Sequence, residues 1–89
     1  MESIEFLDNE FILLHRAVGK NVARMRKIKK VTQLDLSLSI GYNSTSVIAK
    51  AEAGTEDRHF SVEQLYKIAK ILNVPMSSFF ENIDTVSEN

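Results

Sequence analysis

Residues 32–54 read TQLDLSLSIGYNSTSVIAKAEAG, two short apolar segments that each end at a glycine. Thr32 is a typical helix N-cap with Asp35 three residues later, and Gly41 is typical of a left-handed helix terminator. Apolar residues alternate in the first segment, so a short strand is also possible there. We favour a helix over 33–40, because a cap precedes it and a glycine follows it.

The second segment begins with four small polar residues and ends at Gly54. Ser44 is the expected N-cap of a helix that continues to Ala53. The residues from Gly41 to Ser44 then form a tight turn between two short helices. This arrangement predicts a helix-turn-helix motif.

Helical patterns continue on both sides of this motif. Before it, apolar residues spaced three or four apart predict one long helix from about Asn9 to Lys29, with Asp8 or Asn9 as its N-cap. After it, Ser61 opens a fourth helix with a capping box.

The last predicted helix is short. Asn73 ends the fourth helix, and Pro75 is a favourable first residue for the fifth. The sequence therefore predicts an all-α fold, a compact five-helix domain. We assign residues 1–8 to an acidic N-terminal arm, 9–83 to the domain and 84–89 to a disordered tail.

Positive charge is concentrated in the middle of the chain. The net charge is −1 at pH 7, yet residues 11–80 hold all 11 bases and only five of the 12 acids. Seven of the bases lie between Arg16 and Lys30. A nucleic-acid footprint and a solvated helix face with acidic chain ends explain this distribution equally well.

Several kinds of chemistry lack the residues that they require. There is no cysteine, which excludes disulfides and cysteine metal ligands and favours a reducing cytoplasm. The acidic N-terminus is unlike a signal peptide, and no apolar run reaches the ~20 residues of a membrane span. His15 and His59 are far apart in sequence, and no nucleophile motif or glycine-rich phosphate loop occurs. We expect no enzyme activity, cofactor, metal, membrane contact or small-molecule ligand.

From Gly19 to Phe80 the chain resembles the lambda-repressor-like, or Cro/C1-type, helix-turn-helix domains of phage repressors. The matching residues are Gly19, Val22, Met25, Arg26, Thr32, Gln33, Leu36, Ser37, Gly41, Glu52, Gly54, Leu65, Ile68, Ala69, Leu72 and Val74. The sequence departs from the family in four places. Ser37 replaces a usual alanine, Lys30 replaces a usual glycine at the end of the first helix, and the turn carries one extra residue. The loop after Gly54 is also about two residues longer than usual, with TED in place of its customary basic residues.

The extra residue determines which side of the third helix faces inward. With it, Ile48 and Ala51 lie in the core; without it, Val47 and Lys50 would, and a lysine would be buried.

The resemblance implies that the third helix lies in the major groove of double-stranded DNA. The expected base-reading residues are Thr45, Ser46, Ala49 and Lys50. Small side chains let the helix approach the bases, and Lys50 is long enough to reach guanine O6 and N7. Taken alone, the polar run is better explained as a cap and a soluble turn, and the resemblance reverses that preference.

We expect the phosphate contacts at Arg26, Gln33, Asn43, Ser44, Arg58 and His59. The resemblance implies those of Arg26 and Gln33. Free N–H groups near Ser44 can also approach phosphate. Arg58 and His59 stand in for basic residues that the loop lacks, although solvated loop residues explain them equally well.

The resemblance also implies a homodimer on a palindromic operator, since two recognition helices match two half-sites. Phe79 and Phe80 point ~100° apart on a helix. We expect Phe79 in the core and Phe80 with Ile83 in the dimer interface; burial of both aromatic rings is the alternative.

The leading interpretation is a sequence-specific transcriptional regulator of repressor, autoregulator or controller type. The alternative is a protein-interaction adaptor or antitoxin-like module that uses the same fold without reading bases.

Overall fold

The computed structural model describes residues 3–7 and 9–85. Four α-helices form the domain: α1 (Glu10–Ile28), α2 (Gln33–Ile40), α3 (Ser46–Ala53) and α4 (Val62–Leu72). Short 3₁₀ segments follow at Thr55–Asp57, Met76–Phe80 and Ile83–Thr85. The described ranges contain no strand, so the all-α prediction is confirmed, including the helix over 33–40.

The fifth predicted helix differs from the expectation. Met76–Phe80 is a 3₁₀ helix of five residues, so the domain has four α-helices followed by tighter turns. Pro75 precedes it, and its carbonyl accepts a hydrogen bond from Ser78 N–H at 3.0 Å, three residues away. 3₁₀ helices occur in short pieces and seldom run beyond three or four residues, so this one is near the upper end of their length.

Helix α1 lies within one residue of its predicted bounds at each end. Asn9 occupies the N-cap position but its side chain makes no capping hydrogen bond. Instead, the carboxylate of Glu10 accepts from Leu7 N–H at 2.9 Å. Asp8, the other predicted cap, lies outside the described residues. At the far end, Lys30 has φ 59°, so a lysine adopts the left-handed backbone that the family's glycine usually provides.

The ends of α2 and α4 agree with the sequence. Thr32 Oγ1 accepts from Asp35 N–H at 3.0 Å, and Gly41 ends α2 with φ 106°. Ser61 and Gln64 form the complete capping box of α4, which ends at Asn73 with φ 56°. These ends depend on a side chain and backbone a few residues apart, which explains why they were predictable.

The core lies where the four helices meet. Its buried members are Val18, Val22, Leu36, Ile48, Ala51, Phe60, Leu65, Ile68, Ala69, Leu72 and Phe79. Helices α1 and α3 approach closely at Gly19, where a Cβ atom would lie 2.5 Å from the carbonyl oxygen of Ala51. This contact places α3 against α1 with its opposite face towards solvent.

The chain ends carry the remaining differences. Residues 3–7 of the arm are exposed and form no helix, and the ring of Phe6 lies 5.3 Å from that of Phe11. Asp84 and Thr85, which we assigned to a disordered tail, belong to the last 3₁₀ turn. The rest of that predicted tail lies outside the described residues.

Candidate nucleic-acid interface

Helix α3 buries one face completely. Ile48 and Ala51 are 0% and 2% exposed, as the extra turn residue predicted. Since these two residues face α1 and the core, the opposite face is available to a partner. Its exposed or partly exposed members are Thr45, Ser46, Val47, Ala49, Lys50 and Ala53. The four predicted base-reading residues are among them.

The turn before α3 differs slightly from the prediction. α3 begins at Ser46 and its N-cap position is Thr45, which makes no capping hydrogen bond with its side chain. Ser44 is therefore one residue too early to be the N-cap, although its Oγ accepts a long hydrogen bond from Ser46 N–H at 3.4 Å. Asn43 and Ser44 are both exposed at the entrance to the helix.

A buried ion pair joins α1 to α3. Arg26 and Glu52 are 8% and 9% exposed. Arg26 Nε donates to Glu52 Oε2 at 2.7 Å and Arg26 Nη2 donates to Oε1 at 3.0 Å. Arg26 Nη1 donates to the carbonyl of Val31 at 3.0 Å. A bidentate arginine–carboxylate pair of this kind is both strong and geometrically specific.

This pair changes the expected role of Arg26. Its guanidinium is buried and faces a carboxylate, so the predicted phosphate contact of Arg26 does not fit the structure. Gln33 is half-buried, and its Nε2 donates to Glu52 Oε1 at 2.9 Å. The second N–H of this amide is not used in that hydrogen bond, so Gln33 can still donate to a phosphate.

Lys50 forms a second ion pair on the opposite side of α3. Lys50 Nζ lies 3.0 Å from Glu56 Oε2, and the two side chains are 43% and 63% exposed. The hydrogen bond from Lys50 and then its positive charge lower the pKa of Glu56, with Arg58 adding to the effect. The expected base-reading lysine therefore has an acidic neighbour in the following turn.

Arg58 and His59 lie beside the exposed face of α3. Together with Ser46, Lys50 and Gln64 they line a cleft of about 260 Å³. The structure thus brings two predicted phosphate contacts next to two predicted base-reading residues, although Ser46 and Arg58 are 12 positions apart in sequence (58 − 46).

A second cavity, of about 330 Å³, lies on the α1 side of the same loop and is lined by Phe11, His15 and His59 among others. The rings of His15 and His59 stack with centroids 3.8 Å apart and planes 17° apart. Burial and then the charge of His59 lower the pKa of His15. The two histidines, far apart in sequence, therefore help to attach the loop to α1.

Sequence reasoning missed two members of this surface. Val47 is exposed next to Ser46, and the sequence interpretation considered it only as a core residue in the rejected register. Glu56 reaches Lys50 because Gly54 and Glu56 adopt φ values of 70° and 55°. A glutamate in left-handed backbone is uncommon, and no local sequence signal marks it.

Phe79 and Phe80 differ in burial in the direction that the sequence predicted. Phe79 is fully buried, whereas Phe80 is 40% exposed. Asn21 Nδ2 donates to the carbonyl of Phe79 at 3.0 Å, which ties this segment to α1. Ile83 is half-buried and packs against the core, so much of its surface is already covered. The interface itself stays a prediction.

A profile of the helix-turn-helix family matches residues 22–79, from the middle of α1 to the 3₁₀ helix. This match covers well over half of the chain. The protein is a helix-turn-helix DNA-binding regulator by class, and it belongs to the Cro/C1-type helix-turn-helix family. No curated protein matches the chain.

None of the helices in the described residues has the length and apolar character to cross a membrane. The same residues contain no group of three or more histidine, cysteine, aspartate or glutamate side chains that could hold a metal ion.

Proposed function

We propose that this protein is a sequence-specific transcriptional regulator that reads the major groove with α3 as a homodimer. The observation that carries the proposal is the face of α3 opposite Ile48 and Ala51, which presents small side chains and the long basic side chain of Lys50. Small side chains allow the helix backbone to approach base edges, and a lysine can donate to guanine.

The base-reading residues in this proposal are Thr45, Ser46, Ala49 and Lys50. Val47 joins them, because it is exposed on the same helix and its methyl groups suit contact with a thymine methyl. Asn43, Ser44, Arg58 and His59 surround that face and are our candidates for phosphate contact. Gln33 remains a candidate through its second amide N–H, and Arg26 is removed from the set.

The experiment that tests this proposal compares Lys50→Ala with Lys67→Ala. Lys67 is exposed on α4, so its replacement removes the same charge away from α3. Binding sites are first selected from random duplexes with the wild-type protein. Lys50→Ala should then weaken the free energy of binding to the selected site by about 1–3 kcal/mol and reduce discrimination at one base pair.

The control variant should bind the selected site nearly as well as the wild type. A loss that is equal on selected and random DNA would make Lys50 a phosphate contact and contradict its base-reading role.

The dimer is proposed to form around Phe80. An aromatic side chain that stays 40% exposed beside a fully buried one supports a contact surface at this end of the domain. A monomer offers one recognition helix, whereas a dimer matches half-sites ~34 Å apart on a palindromic operator.

Light scattering on Phe80→Ser, with the exposed Phe11→Ser as its control, tests the interface. A folded Phe80→Ser monomer with weak operator binding is the expected result. A dimer that persists in this variant would place the interface elsewhere.

The adaptor or antitoxin-like alternative also has one supporting observation. Lys50 is the single lysine or arginine of α3, and a carboxylate pairs with it in this structure. Failure of the wild-type protein to select any sequence from random duplexes would favour this alternative.

A further inference from the structure

The turn after α3 brings an acidic side chain onto the face that we propose to read DNA. Glu56 Oε2 lies 3.0 Å from Lys50 Nζ, and both side chains are exposed to solvent over a large part of their surface. A carboxylate repels the phosphate backbone, which lowers affinity for DNA in general. Specific proteins accept such an opposing group where it distinguishes one partner from another.

The backbone of the turn holds Glu56 in this position. Gly54 and Glu56 have φ values of 70° and 55°, and Arg58 N–H closes the turn by donating to the carbonyl of Thr55 at 2.9 Å. Left-handed backbone is unfavourable for a residue other than glycine, and it persists where surrounding contacts maintain it. The turn therefore places Glu56 beside α3.

The spacing of the Lys50–Glu56 pair matches one edge of a G·C base pair. In the major groove guanine offers the acceptors N7 and O6, and cytosine offers the donor N4. O6 and N4 hydrogen-bond to each other in the pair, so they are about 3 Å apart. The ammonium and carboxylate groups are also 3.0 Å apart and present a donor beside an acceptor.

An A·T pair fits this arrangement less well. Thymine O4 and adenine N6 also place an acceptor beside a donor, but the C5 methyl group of thymine lies next to O4. At guanine that neighbouring position is N7, a second acceptor for the three N–H groups of lysine. The ammonium of Lys50 therefore gains a hydrogen bond at guanine and meets an apolar group at thymine.

We propose that Glu56 determines specificity by accepting a hydrogen bond from cytosine N4 in the G·C pair whose guanine contacts Lys50. This inference rests on the proposed function of α3. It adds one residue outside the helix to the base-reading set and fixes the orientation of one base pair, with guanine at Lys50 and cytosine at Glu56.

The test compares Glu56→Ala with Asp57→Ala. Each variant removes one negative charge from adjacent residues of the same turn, and Asp57 lines the cavity on the α1 side. Duplexes carry the site selected by the wild-type protein, with each G·C pair replaced in turn by the other three pairs. Fluorescence anisotropy gives the affinities at two salt concentrations, and circular dichroism confirms that both variants fold. Glu56→Gln provides a second replacement that preserves the length of the side chain.

Glu56→Ala should reduce discrimination at one G·C pair by about tenfold, the size of one lost base contact. Asp57→Ala should preserve that discrimination. Both variants should bind random duplexes more tightly at low salt, since each loses a repelling charge.

Unchanged discrimination in Glu56→Ala would overturn the inference, as would identical discrimination in the two alanine variants. A wild-type protein that selects no sequence would instead overturn the proposed function of α3, so the two failures are distinguishable.

Discussion

Two ion pairs begin on α3 only two residues apart, yet they lie in opposite environments. Glu52 is buried and pairs with Arg26 of α1 through two hydrogen bonds. Lys50 is partly exposed and pairs with Glu56 through one contact. One short helix therefore uses its inner face to hold the fold and its outer face to carry side chains that remain available to a partner.

The inner pair belongs to a network that fixes the helix-turn-helix motif. Gln33, the first residue of α2, also donates to Glu52, and Arg26 reaches the carbonyl of Val31 just before α2. Four segments therefore meet at one carboxylate and one guanidinium: α1, the connection after it, α2 and α3. Charges taken out of water need this degree of hydrogen bonding to be tolerated.

The largest expected effect comes from breaking the inner pair on one side. Arg26→Met should lower the free energy of unfolding by about 3–5 kcal/mol, because it leaves the carboxylate of Glu52 buried without its guanidinium. Urea denaturation followed by circular dichroism measures the change. The total free energy of unfolding of a native domain is ~5–15 kcal/mol, so the variant should be close to unfolding.

The double replacement Arg26→Met with Glu52→Leu serves as the control for this prediction. It removes both buried charges together and should recover most of the lost stability. A double variant as unstable as Arg26→Met would show that the hydrogen bonds to Gln33 and Val31, rather than the unpaired charge, dominate the cost.

The two pairs also differ in how far the sequence could predict them. The helix ends at Thr32, Gly41 and Ser61 were predictable, because each depends on residues close in the chain. The pairing of Arg26 with Glu52 spans 26 positions and appears only when α3 packs against α1. The resemblance to phage-repressor domains pointed to both residues but suggested a phosphate contact for the arginine.

The outer pair escaped prediction for a different reason. Glu56 is near Lys50 in sequence, but the intervening turn depends on left-handed backbone at a non-glycine residue. The burial of Ile48 and Ala51 was predictable, because the spacing of apolar residues along α3 permits one register in which Lys50 stays outside the core. The sequence thus predicted which face of α3 is outward but not the acidic neighbour of that face.

A smaller change in the free energy of unfolding is expected at Ser37, which buries a polar side chain without a charge. Its side chain is fully buried and its Oγ has no hydrogen-bond partner among the residues that the structure describes, unlike the well-paired atoms of Arg26 and Glu52. Ser37→Ala should raise the free energy of unfolding by ~1 kcal/mol, since it removes an unsatisfied hydroxyl without enlarging the side chain. It also places the family's usual residue at this position.

The urea midpoint of Ser37→Ala, with the exposed Ser39→Ala of the same helix as its control, measures this effect. Destabilisation confined to Ser37→Ala would mean that the hydroxyl does form a stabilising contact in the folded protein.

The smallest effect on stability is expected from the outer pair. Exposed ion pairs gain little from their mutual attraction, since water and salt screen both charges and holding two long side chains costs entropy. Lys50→Gln, Glu56→Gln and their combination should therefore unfold at the urea midpoint of the wild type within experimental error. Repeating the measurements in low and high salt should leave that result unchanged.

A clear loss of stability in both single variants that disappears in the double variant would show that the pair stabilises the turn after α3. Lys50 and Glu56 would then have a structural role like that of Arg26 and Glu52, and the division between an inner, stabilising face and an outer, reading face would not hold.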